Sequence, residues 1–384
     1  MSTEPASDPS QQATARPVLS GIAVVLLLFV FLAAVRGLGD GFKLLGGDLL
    51  EAFFSATSNP FIALMVGLLS TTLVQSSSVT TSLVVGLVAA PENPLPLANA
   101  VPMIMGANIG TTVTNTLVSL AHMGRRDEFR SAFSVAICHD FFNYLAVLVL
   151  LPFEMATGFL ARSAGSLADR LPDFGGGAFE SPLTAALKVA FGPIRSLAAW
   201  LFDAPQGQGT VIILTSGVLI FGALFLIVRV LHSALQSKAE SFLERSLGRS
   251  ALVAMAVGCL VTAMVQSSSI TTSLLVPLAG VGLITLNQAF PVTLGANLGT
   301  TITALLASLA VSGPNAQAGV EIALTHLTFN LTGIFLIYPW PPVRNLVLSC
   351  VKRFADLAAD SKALAIGYLL ILFYGLPALA AFLQ

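Results

Sequence analysis

VQSSSVTTS, residues 74–82, returns later in the chain as VQSSSITTS, residues 265–273, and the two copies differ only by Val79 against Ile270. Each copy is a dense run of polar side chains between strongly apolar stretches. At membrane depth, polar groups are tolerated where they pair with one another, face a cavity or bind a ligand. Two nearly identical polar runs therefore predict one site assembled from two half-sites.

The composition indicates an integral membrane protein. Of the 384 residues, 55% are hydrophobic and only 10% are charged, whereas soluble domains carry about 25% charged residues. A formal net charge of -1 argues against a nucleic-acid partner. The three cysteines, Cys138, Cys259 and Cys350, lie in or beside apolar stretches and none belongs to a CxxC pair, so the sequence predicts neither a disulfide framework nor a zinc site.

Two further motifs are duplicated in the same order. GANIGTTVT at 106–114 corresponds to GANLGTTIT at 295–303, and HDFFN at 139–143 corresponds to HLTFN at 326–330. The spacing from each VQSSS motif to the motifs that follow it is nearly the same in both halves. Three motifs in one order at one spacing indicate an internal duplication.

The distribution of basic residues predicts that the two copies are inverted in the membrane. The loop at 122–130 carries three arginines, but its counterpart at 311–319 carries no charge. Conversely, 232–249, which leads to the second VQSSS motif, holds three Lys or Arg residues, whereas 55–59 before the first motif is uncharged. Because an excess of Lys and Arg marks cytoplasmic loops, equivalent loops are expected on opposite sides and the N-terminus in the cytoplasm.

The apolar runs on either side of each VQSSS motif are too short to span a membrane comfortably, which is typical of transporter sites. We therefore predict an all-α polytopic membrane protein of two inverted-topology repeats, each with a re-entrant helical hairpin and broken transmembrane helices. Residues 37–57 predict an interfacial amphipathic helix. The predicted divisions are a disordered tail at 1–16, repeat 1 at 17–153 with its hairpin at 60–90, an extracytoplasmic connector at 154–208, repeat 2 at 209–340 with its hairpin at 250–285, and an interfacial helix and final transmembrane helix at 341–384.

The duplicated motifs carry side chains that suit both an oxyanion and a hard cation. Serine and threonine hydroxyls and glutamine amides can donate and accept hydrogen bonds. A half-helix that begins at the break also presents free N–H groups and the positive end of its dipole to an anion. No Lys or Arg occurs in 60–121 or in 250–315. A bound anion would need co-bound cations to neutralise it, which favours symport over a simple anion channel.

The paired QSSS, GAN-x-GTT and H-x-x-F-N motifs resemble those of the type II sodium–phosphate cotransporter family, over about 60–340. The resemblance implies a symporter that couples inward Na⁺ movement to uptake of inorganic phosphate, as HPO₄²⁻, by alternating access, with no cofactor beyond the transported Na⁺. It implies phosphate ligands among the serines, to which we add two asparagines that serve equally well as helix-break caps: Ser76, Ser77, Ser78, Ser267, Ser268, Ser269, Asn108 and Asn297. The implied sodium ligands are Gln75, Thr111, Thr114, Gln266, Ser267, Thr300 and Thr303.

Two other function classes are weighed against this one. An anion channel needs fixed cationic residues, which both hairpins lack, and an intramembrane hydrolase needs one serine with a positioned base, whereas these serines form symmetric triplets. We therefore expect no enzymatic activity. For Asp140, which Leu327 replaces in the second copy, we favour a structural role in an ion pair with Arg125, Arg126 or Arg130. For the two motif histidines, His139 and His326, we also favour structural roles.

The expected partners are inorganic phosphate, Na⁺ and the lipid bilayer, with a homodimer left open and no nucleic acid. Animal members of the family carry a disulfide-bonded, glycosylated central loop, yet 154–208 contains neither Cys nor Asn. This difference and the short ends of the chain favour a multi-pass protein of the bacterial cytoplasmic (inner) membrane with a cytoplasmic N-terminus.

Overall fold

The computed structural model describes residues 9–45, 55–91, 93–171, 182–246, 250–311 and 313–382. This part of the chain is helical and contains no strand. The helices are α1 (Pro9–Leu45), α2 (Pro60–Val74), α3 (Ser77–Val88), α4 (Leu97–Gly110), α5 (Val113–Leu120), α6 (Arg126–Thr157), α7 (Phe159–Ala168), α8 (Pro182–Leu201), α9 (Pro205–Ser246), α10 (Ala251–Val265), α11 (Ser268–Ser273), α12 (Leu275–Gly280), α13 (Leu286–Ser308), α14 (Ala316–Ile337), α15 (Pro341–Asp360), α16 (Lys362–Leu370), a π-helical turn (Ile371–Gly375) and α17 (Leu376–Phe382).

Six helical segments in the described ranges are long and apolar enough to cross a membrane, which confirms the prediction of an all-α polytopic membrane protein. They are Ser20–Leu38, Arg126–Thr157, Pro205–Ile227, Leu286–Ser308, Ala316–Ile337 and Lys362–Ala380. The helices that flank the two VQSSS motifs are shorter, as the sequence predicts. Arg126–Thr157 and Leu286–Ser308, which carry duplicated motifs, are also the most deeply buried of the six inside the protein.

Both VQSSS motifs interrupt a helix at the same residue. Asn59 caps α2 through its side chain, and α2 ends at Gln75, which adopts the left-handed conformation with φ of 55°. Its counterpart Gln266 ends α10 with φ of 57°. The next residue, Ser76 or Ser267, is extended and becomes the N-cap of α3 or α11. A non-glycine residue with positive φ is uncommon, so the repeated strain at the two glutamines marks a specified break.

Glycine allows the helices of each hairpin to approach the following helix closely. A Cβ atom on Gly67 of α2 would collide with the Met103 carbonyl oxygen of α4, and one on Gly106 of α4 would collide with the Leu64 carbonyl oxygen. The second repeat reproduces both contacts, with Gly258 against Val292 and Gly295 against Met255. Small residues at a helix contact let backbones pack closely within a membrane. The first helix of each hairpin and the helix that carries the GAN motif therefore form one tightly packed pair, α2 with α4 in repeat 1 and α10 with α13 in repeat 2.

The N-terminal helix is longer than the sequence analysis predicts. α1 begins at Pro9, so the part of the expected disordered tail at 9–16 is helical, while 1–8 lies outside the described residues. Proline suits the first turn of a helix, and the Gln and Ala residues that follow are good helix formers. The helix also continues through 37–45, the first part of the expected interfacial helix, and the stretch 46–54 of that prediction lies outside the described residues.

The two GAN segments differ, although both were expected to break. In the first repeat the helix is interrupted at Thr111–Thr112, between α4 and α5. In the second repeat α13 runs without interruption through 295–303, so the predicted second break is wrong. In the first copy the Thr111 carbonyl accepts a hydrogen bond from Ser269 Oγ of the other repeat at 3.2 Å. Ser78, the counterpart of Ser269, instead donates to a side chain, Thr303 Oγ1, at 3.3 Å.

The helices on either side of the predicted connector (154–208) extend into it from both ends. Residues 154–157 belong to α6 and residues 205–208 belong to α9. Between them, α8 packs against α1 and α9. After the second repeat, α15 (Pro341–Asp360) is not among the candidate spans, and it packs against α6.

Candidate functional site

The two VQSSS motifs meet at one cavity of about 430 Å³. Polar side chains from both repeats line it, and three apolar side chains of α9 close one side. Its lining consists of Leu73, Val74, Gln75, Ser76, Val79 and Thr114 from repeat 1, Gln266, Ser267, Ser269 and Ile270 from repeat 2, and Phe221, Leu224 and Phe225 from α9. None of these residues carries a formal charge.

The helix starts at the cavity are capped in the same way in both repeats. Ser76 Oγ accepts a hydrogen bond from the Val79 backbone N–H at 3.4 Å. Ser267 Oγ accepts one from the Ile270 backbone N–H at 3.3 Å. An N-cap side chain satisfies only part of the donors that a helix start leaves free. The remaining N–H groups and the positive dipole end of α3 are suited to an anion in the cavity.

A cluster of side-chain oxygens joins the second motif to α13 and to the first motif. Thr303 Oγ1 donates to Gln266 Oε1 at 2.8 Å, and Ser78 Oγ donates to Thr303 Oγ1 at 3.3 Å. The Gln266 amide nitrogen also donates to the Ala263 carbonyl at 2.6 Å. Glutamine and hydroxyl oxygens are hard ligands of the kind that Na⁺ accepts. Three of the residues in this cluster come from motifs that the sequence analysis singled out.

Two other predicted sodium ligands are engaged with their own backbone. Thr111 Oγ1 donates to the Ala107 carbonyl at 3.1 Å, and Thr300 Oγ1 donates to the Ala296 carbonyl at the same distance. Both threonines are buried. Thr114, by contrast, faces the cavity. A threonine whose hydroxyl donates to a backbone carbonyl still offers oxygen lone pairs to a cation.

Not all of the serines line the cavity. Ser77 and Ser268 are the first residues of α3 and α11 and are buried, with 3% exposure each. Ser78 is buried beside Thr303 and lies outside the lining. Ser76 and Ser267 are thus partly exposed at the cavity, Ser269 is buried but also lines it, and Ser77, Ser78 and Ser268 lie outside the lining.

Asn108 and Asn297, which were expected as phosphate ligands or caps, lie outside the cavity lining in a buried polar network. Asn108 Oδ1 is 3.1 Å from His326 Nε2, and Asn297 donates to Asn143 Oδ1 at 2.9 Å. Asn143 also donates to the Asn108 carbonyl at 3.2 Å. Each GAN asparagine therefore contacts the H-x-x-F-N motif of the opposite repeat, so these motifs join the two halves behind the cavity.

No serine of the two triplets bonds to a histidine in the described part of the chain. His326 is engaged with Asn108, and the His139 ring nitrogens have no hydrogen-bond partner among the described residues. The nucleophile–base pair that a serine hydrolase requires is not formed by these residues.

Asn115 is a site residue that the sequence analysis did not select. Its Oδ1 accepts hydrogen bonds from Thr272 Oγ1 at 3.0 Å and from Ser273 Oγ at 2.8 Å, so it ties α5 of repeat 1 to the hairpin of repeat 2. The aligned position in repeat 2 is Ala304. The signal that could have identified it is a polar residue directly after the last threonine of the first GAN motif, at a position where the second copy has alanine.

Two phenylalanines of α9 were also not anticipated. Phe221 and Phe225 line the cavity, with their rings stacked at a centroid distance of 6.2 Å. Their spacing of four residues places them on one face of the helix. Aromatic residues are common in apolar helices, so the sequence alone gives no reason to separate these two from lipid-facing ones.

The predicted ion pair of Asp140 with an arginine of the 122–130 loop is wrong. Asp140 is fully buried within α6, and its carboxylate accepts a hydrogen bond from the Tyr368 hydroxyl at 2.7 Å. The three arginines bond elsewhere, to Glu128, Asp360 and Asp356, at the start of α6 and along α15. Asp140 lies more than two helical turns from the nearest of these arginines, because α6 carries it into the interior.

The arrangement can hold a small ligand without using a fixed charge. The cavity offers hydroxyls, amides and helix-start N–H groups, and it is lined by no Lys, Arg, Asp or Glu side chain. The described residues contain no group of three or more His, Cys, Asp or Glu side chains that could hold a metal ion. An anion and a cation bound together would neutralise each other in such an environment, whereas either alone would carry an uncompensated charge into it.

Comparisons with known proteins agree with the duplicated motifs. A family profile described as Na+/Pi-cotransporter matches residues 30–160 and 218–349. The chain is 33% identical over 450 residues to sodium-dependent phosphate transport protein 2B of Homo sapiens, covering 93% of this chain and 64% of that protein. It is 34% identical over 420 residues to protein 2A of Rattus norvegicus, covering 92% of this chain and 66% of that protein.

The chain spans about two thirds of the length of these relatives. No solved structure matches it significantly. The family profile covers most of both predicted repeats and all six duplicated motif copies. This chain belongs to the Na⁺/Pi-cotransporter family.

Proposed function

We propose that this protein is a secondary active symporter that couples inward movement of Na⁺ to uptake of inorganic phosphate. The observation that carries the proposal is the convergence of both VQSSS motifs on one cavity without charged side chains. The names of the relatives, which are sodium-dependent phosphate transport proteins, support the same choice of ions. We place the protein in a bacterial cytoplasmic membrane with a cytoplasmic N-terminus, and leave a homodimer open.

In this proposal, phosphate binds between the two hairpin tips. Ser76 and Ser267 lie at the cavity, and Ser77, Ser78, Ser268 and Ser269 follow them at the starts of α3 and α11. Hydroxyls that rotate to donate, together with free N–H groups, suit the oxygens of HPO₄²⁻. Asn108 and Asn297 stand behind these serines in the crossed polar network, and we assign them the role of holding α4 and α13 in place for phosphate.

Sodium binds beside phosphate in this proposal. Gln266 and Ser267 line the cavity, and Thr303 Oγ1 donates to Gln266 Oε1, with Thr300 one turn earlier on α13. Gln75, Thr111 and Thr114 are the matching residues of repeat 1. Each Na⁺ bound here offsets one negative charge of phosphate at low dielectric, where separated charges are costly. Loaded and empty carriers can then change conformation more easily than a carrier holding phosphate alone.

Transport would proceed by alternating access around the two hairpins. Two of the hydrogen bonds between the repeats join Ser78 to Thr303 and Ser269 to the Thr111 carbonyl. These are single hydrogen bonds, each with a small net contribution of about 1 kcal/mol. Their exchange during rocking of one repeat against the other therefore carries a low energetic cost.

The test is uptake of radiolabelled phosphate into proteoliposomes that contain the purified protein. An inward Na⁺ gradient should concentrate phosphate inside the vesicles, while an equal K⁺ gradient should not. Empty liposomes and a variant with Ser77→Ala and Ser268→Ala serve as controls. Equal uptake with Na⁺ and K⁺ would exclude sodium coupling, and uptake of sulfate in place of phosphate would exclude the proposed substrate.

A further inference from the structure

The fully buried carboxylate of Asp140 has no basic partner among the described residues. It lies near the middle of α6, which is a candidate membrane span. A carboxylate at such depth is costly unless it is paired or functional. One of its oxygens, Oδ2, accepts from the Tyr368 hydroxyl at 2.7 Å, and the other, Oδ1, has no hydrogen-bond partner in the described part of the chain.

Asp140 is also the one position in the duplicated motifs at which one repeat carries an acidic or basic residue and the other does not. Leu327 occupies the aligned position in the second H-x-x-F-N motif. The residues on either side of Asp140 in the motif, His139 and Asn143, are duplicated and buried like it. A purely structural duplicated motif has no need of a buried acid in one copy only, so the acid adds something that repeat 2 does not supply.

Tyr368 comes from outside the duplicated core and is held rigidly. It lies on α16, beyond the end of the family match at residue 349. Its ring packs edge-on against Phe133 and Phe373, with centroids at 6.4 and 5.7 Å, and tilted against Phe354 at 5.0 Å. Aromatic pairs at such distances fix ring orientation, so the hydroxyl is directed at Asp140 by the packing around it.

The helix that carries Tyr368 is irregular just beyond this contact. Residues Ile371–Gly375 form a π-helical turn between α16 and α17. Such turns are rare and occur frequently at functional sites. The turn shifts the register of the last helix, while the ring of Phe373 within it still packs on Tyr368.

We propose that Tyr368 is a positioning residue for ion coupling: it holds Oδ2 of Asp140 so that Oδ1 is offered to a transported cation. This inference rests on the proposed function, because it assigns the cation to the same Na⁺-driven cycle. It extends the coupling machinery from the two repeats to the C-terminal helix. The residue acts through Asp140 and is not itself assigned a contact with Na⁺ or phosphate.

Replacement of Tyr368 by Phe tests the proposal, because it keeps the ring packing and removes only the hydroxyl. We expect the Na⁺ concentration for half-maximal phosphate uptake to rise on the order of tenfold, as expected for loss of a hydrogen bond to a charged group. The KM for phosphate at saturating Na⁺ should stay within about twofold of the wild type, on the principle that only the ion step is altered. A merely structural role would lower the maximum rate or the yield and leave Na⁺ activation unchanged.

Tyr374→Phe is the matched control. Tyr374 lies in the π-helical turn after Tyr368 and is partly buried, and its hydroxyl forms no hydrogen bond with the described residues. This variant should show wild-type Na⁺ activation. A wild-type Na⁺ dependence in Tyr368→Phe, or an equal rise in Tyr374→Phe, would overturn the proposal.

A second measurement separates this proposal from the proposed function. Thermal unfolding of the purified protein against Na⁺ concentration, without phosphate, reports Na⁺ binding through stabilisation of the folded state. Tyr368→Phe should weaken the stabilisation in the wild-type background and have no further effect beside Asp140→Asn. An equal shift in both backgrounds would show that Tyr368 does not act through Asp140. If Na⁺ stabilises the wild type but phosphate uptake is absent, the proposed function fails while this test stands; if Na⁺ has no effect in either assay, both fail.

Discussion

The two hairpins, hairpin 1 (60–88) and hairpin 2 (251–280), share eight residues of a nonapeptide but not its contacts. The Gln266 side chain of hairpin 2 is held at both ends, by Thr303 and by the Ala263 carbonyl. Its counterpart Gln75 is exposed, and its side chain forms no hydrogen bond with the described residues. The two nearly identical segments thus share one backbone conformation, whereas their glutamine side chains lie in different environments.

Hairpin 2 is also tied more firmly along its length. Thr262 Oγ1 donates to Thr271 Oγ1 at 2.9 Å across the two helices of hairpin 2. The matching hydroxyl of hairpin 1, on Thr71, has no partner among the described residues. With Asn115 bonded to α11 as well, hairpin 2 is the more extensively hydrogen-bonded half-site. Preorganised ligands lose less entropy on binding, so we infer that Na⁺ is held mainly by hairpin 2 and that hairpin 1 adjusts around phosphate.

The largest expected effect tests what the two hairpins share. Gly106→Ala and Gly295→Ala each drive a Cβ into a carbonyl oxygen of the neighbouring helix, and we expect each to lower the free energy of unfolding by about 3 kcal/mol. Thermal unfolding in detergent measures it. Gly217→Ala, whose Cβ would meet nothing within 4 Å, is the control. Wild-type stability in either variant would show that the packing of that pair is not as close as described.

A smaller effect is expected from Asn115→Ala, which removes the bond between α5 and hairpin 2. The hydroxyls of Thr272 and Ser273 lose their buried acceptor, at a cost of about 1–3 kcal/mol. Backbone hydrogen exchange should rise in 268–280 and stay unchanged in 77–88. Ser82→Ala is the control, since its hydroxyl donates to Ser78 within its own helix. Equal exchange in both hairpins would remove the proposed difference in order.

The smallest effect compares the two glutamines directly. Gln266→Ala removes an oxygen that Thr303 already positions, and we expect the Na⁺ concentration for half-maximal uptake to rise about five- to tenfold, the equivalent of one hydrogen bond. Gln75→Ala, at the same position in hairpin 1, should change it by less than about twofold on the same reasoning. The reverse order would place the better sodium site in hairpin 1.

Much of the site could be predicted because duplication and polarity coincide in the sequence. The breaks at Gln75 and Gln266 and the convergence of both motifs follow from polar runs in apolar surroundings. The predicted repeat inversion stays a prediction. The charge pattern that supports it lies in the loops and not in the contacts between helices.

The remaining features depend on contacts between distant segments. Asp140 could be assigned to a loop arginine because it follows the loop by only 10 to 15 residues in the sequence. Its Tyr368 partner is more than two hundred residues away, and the approach of that residue depends on aromatic packing. The second GAN segment stays helical although its residues nearly repeat those of the broken one. The broken segment has a contact from the other repeat, between Ser269 and the Thr111 carbonyl, that its own residues do not specify.

The most direct test of a single site shared by both motifs is equilibrium binding of phosphate to the purified protein in NaCl and in KCl. We expect one phosphate per chain, bound only in NaCl, and loss of that binding when the serines of either triplet, 76–78 or 267–269, are replaced by alanine. Two phosphates per chain, of which one survives the loss of either triplet, would contradict the shared site.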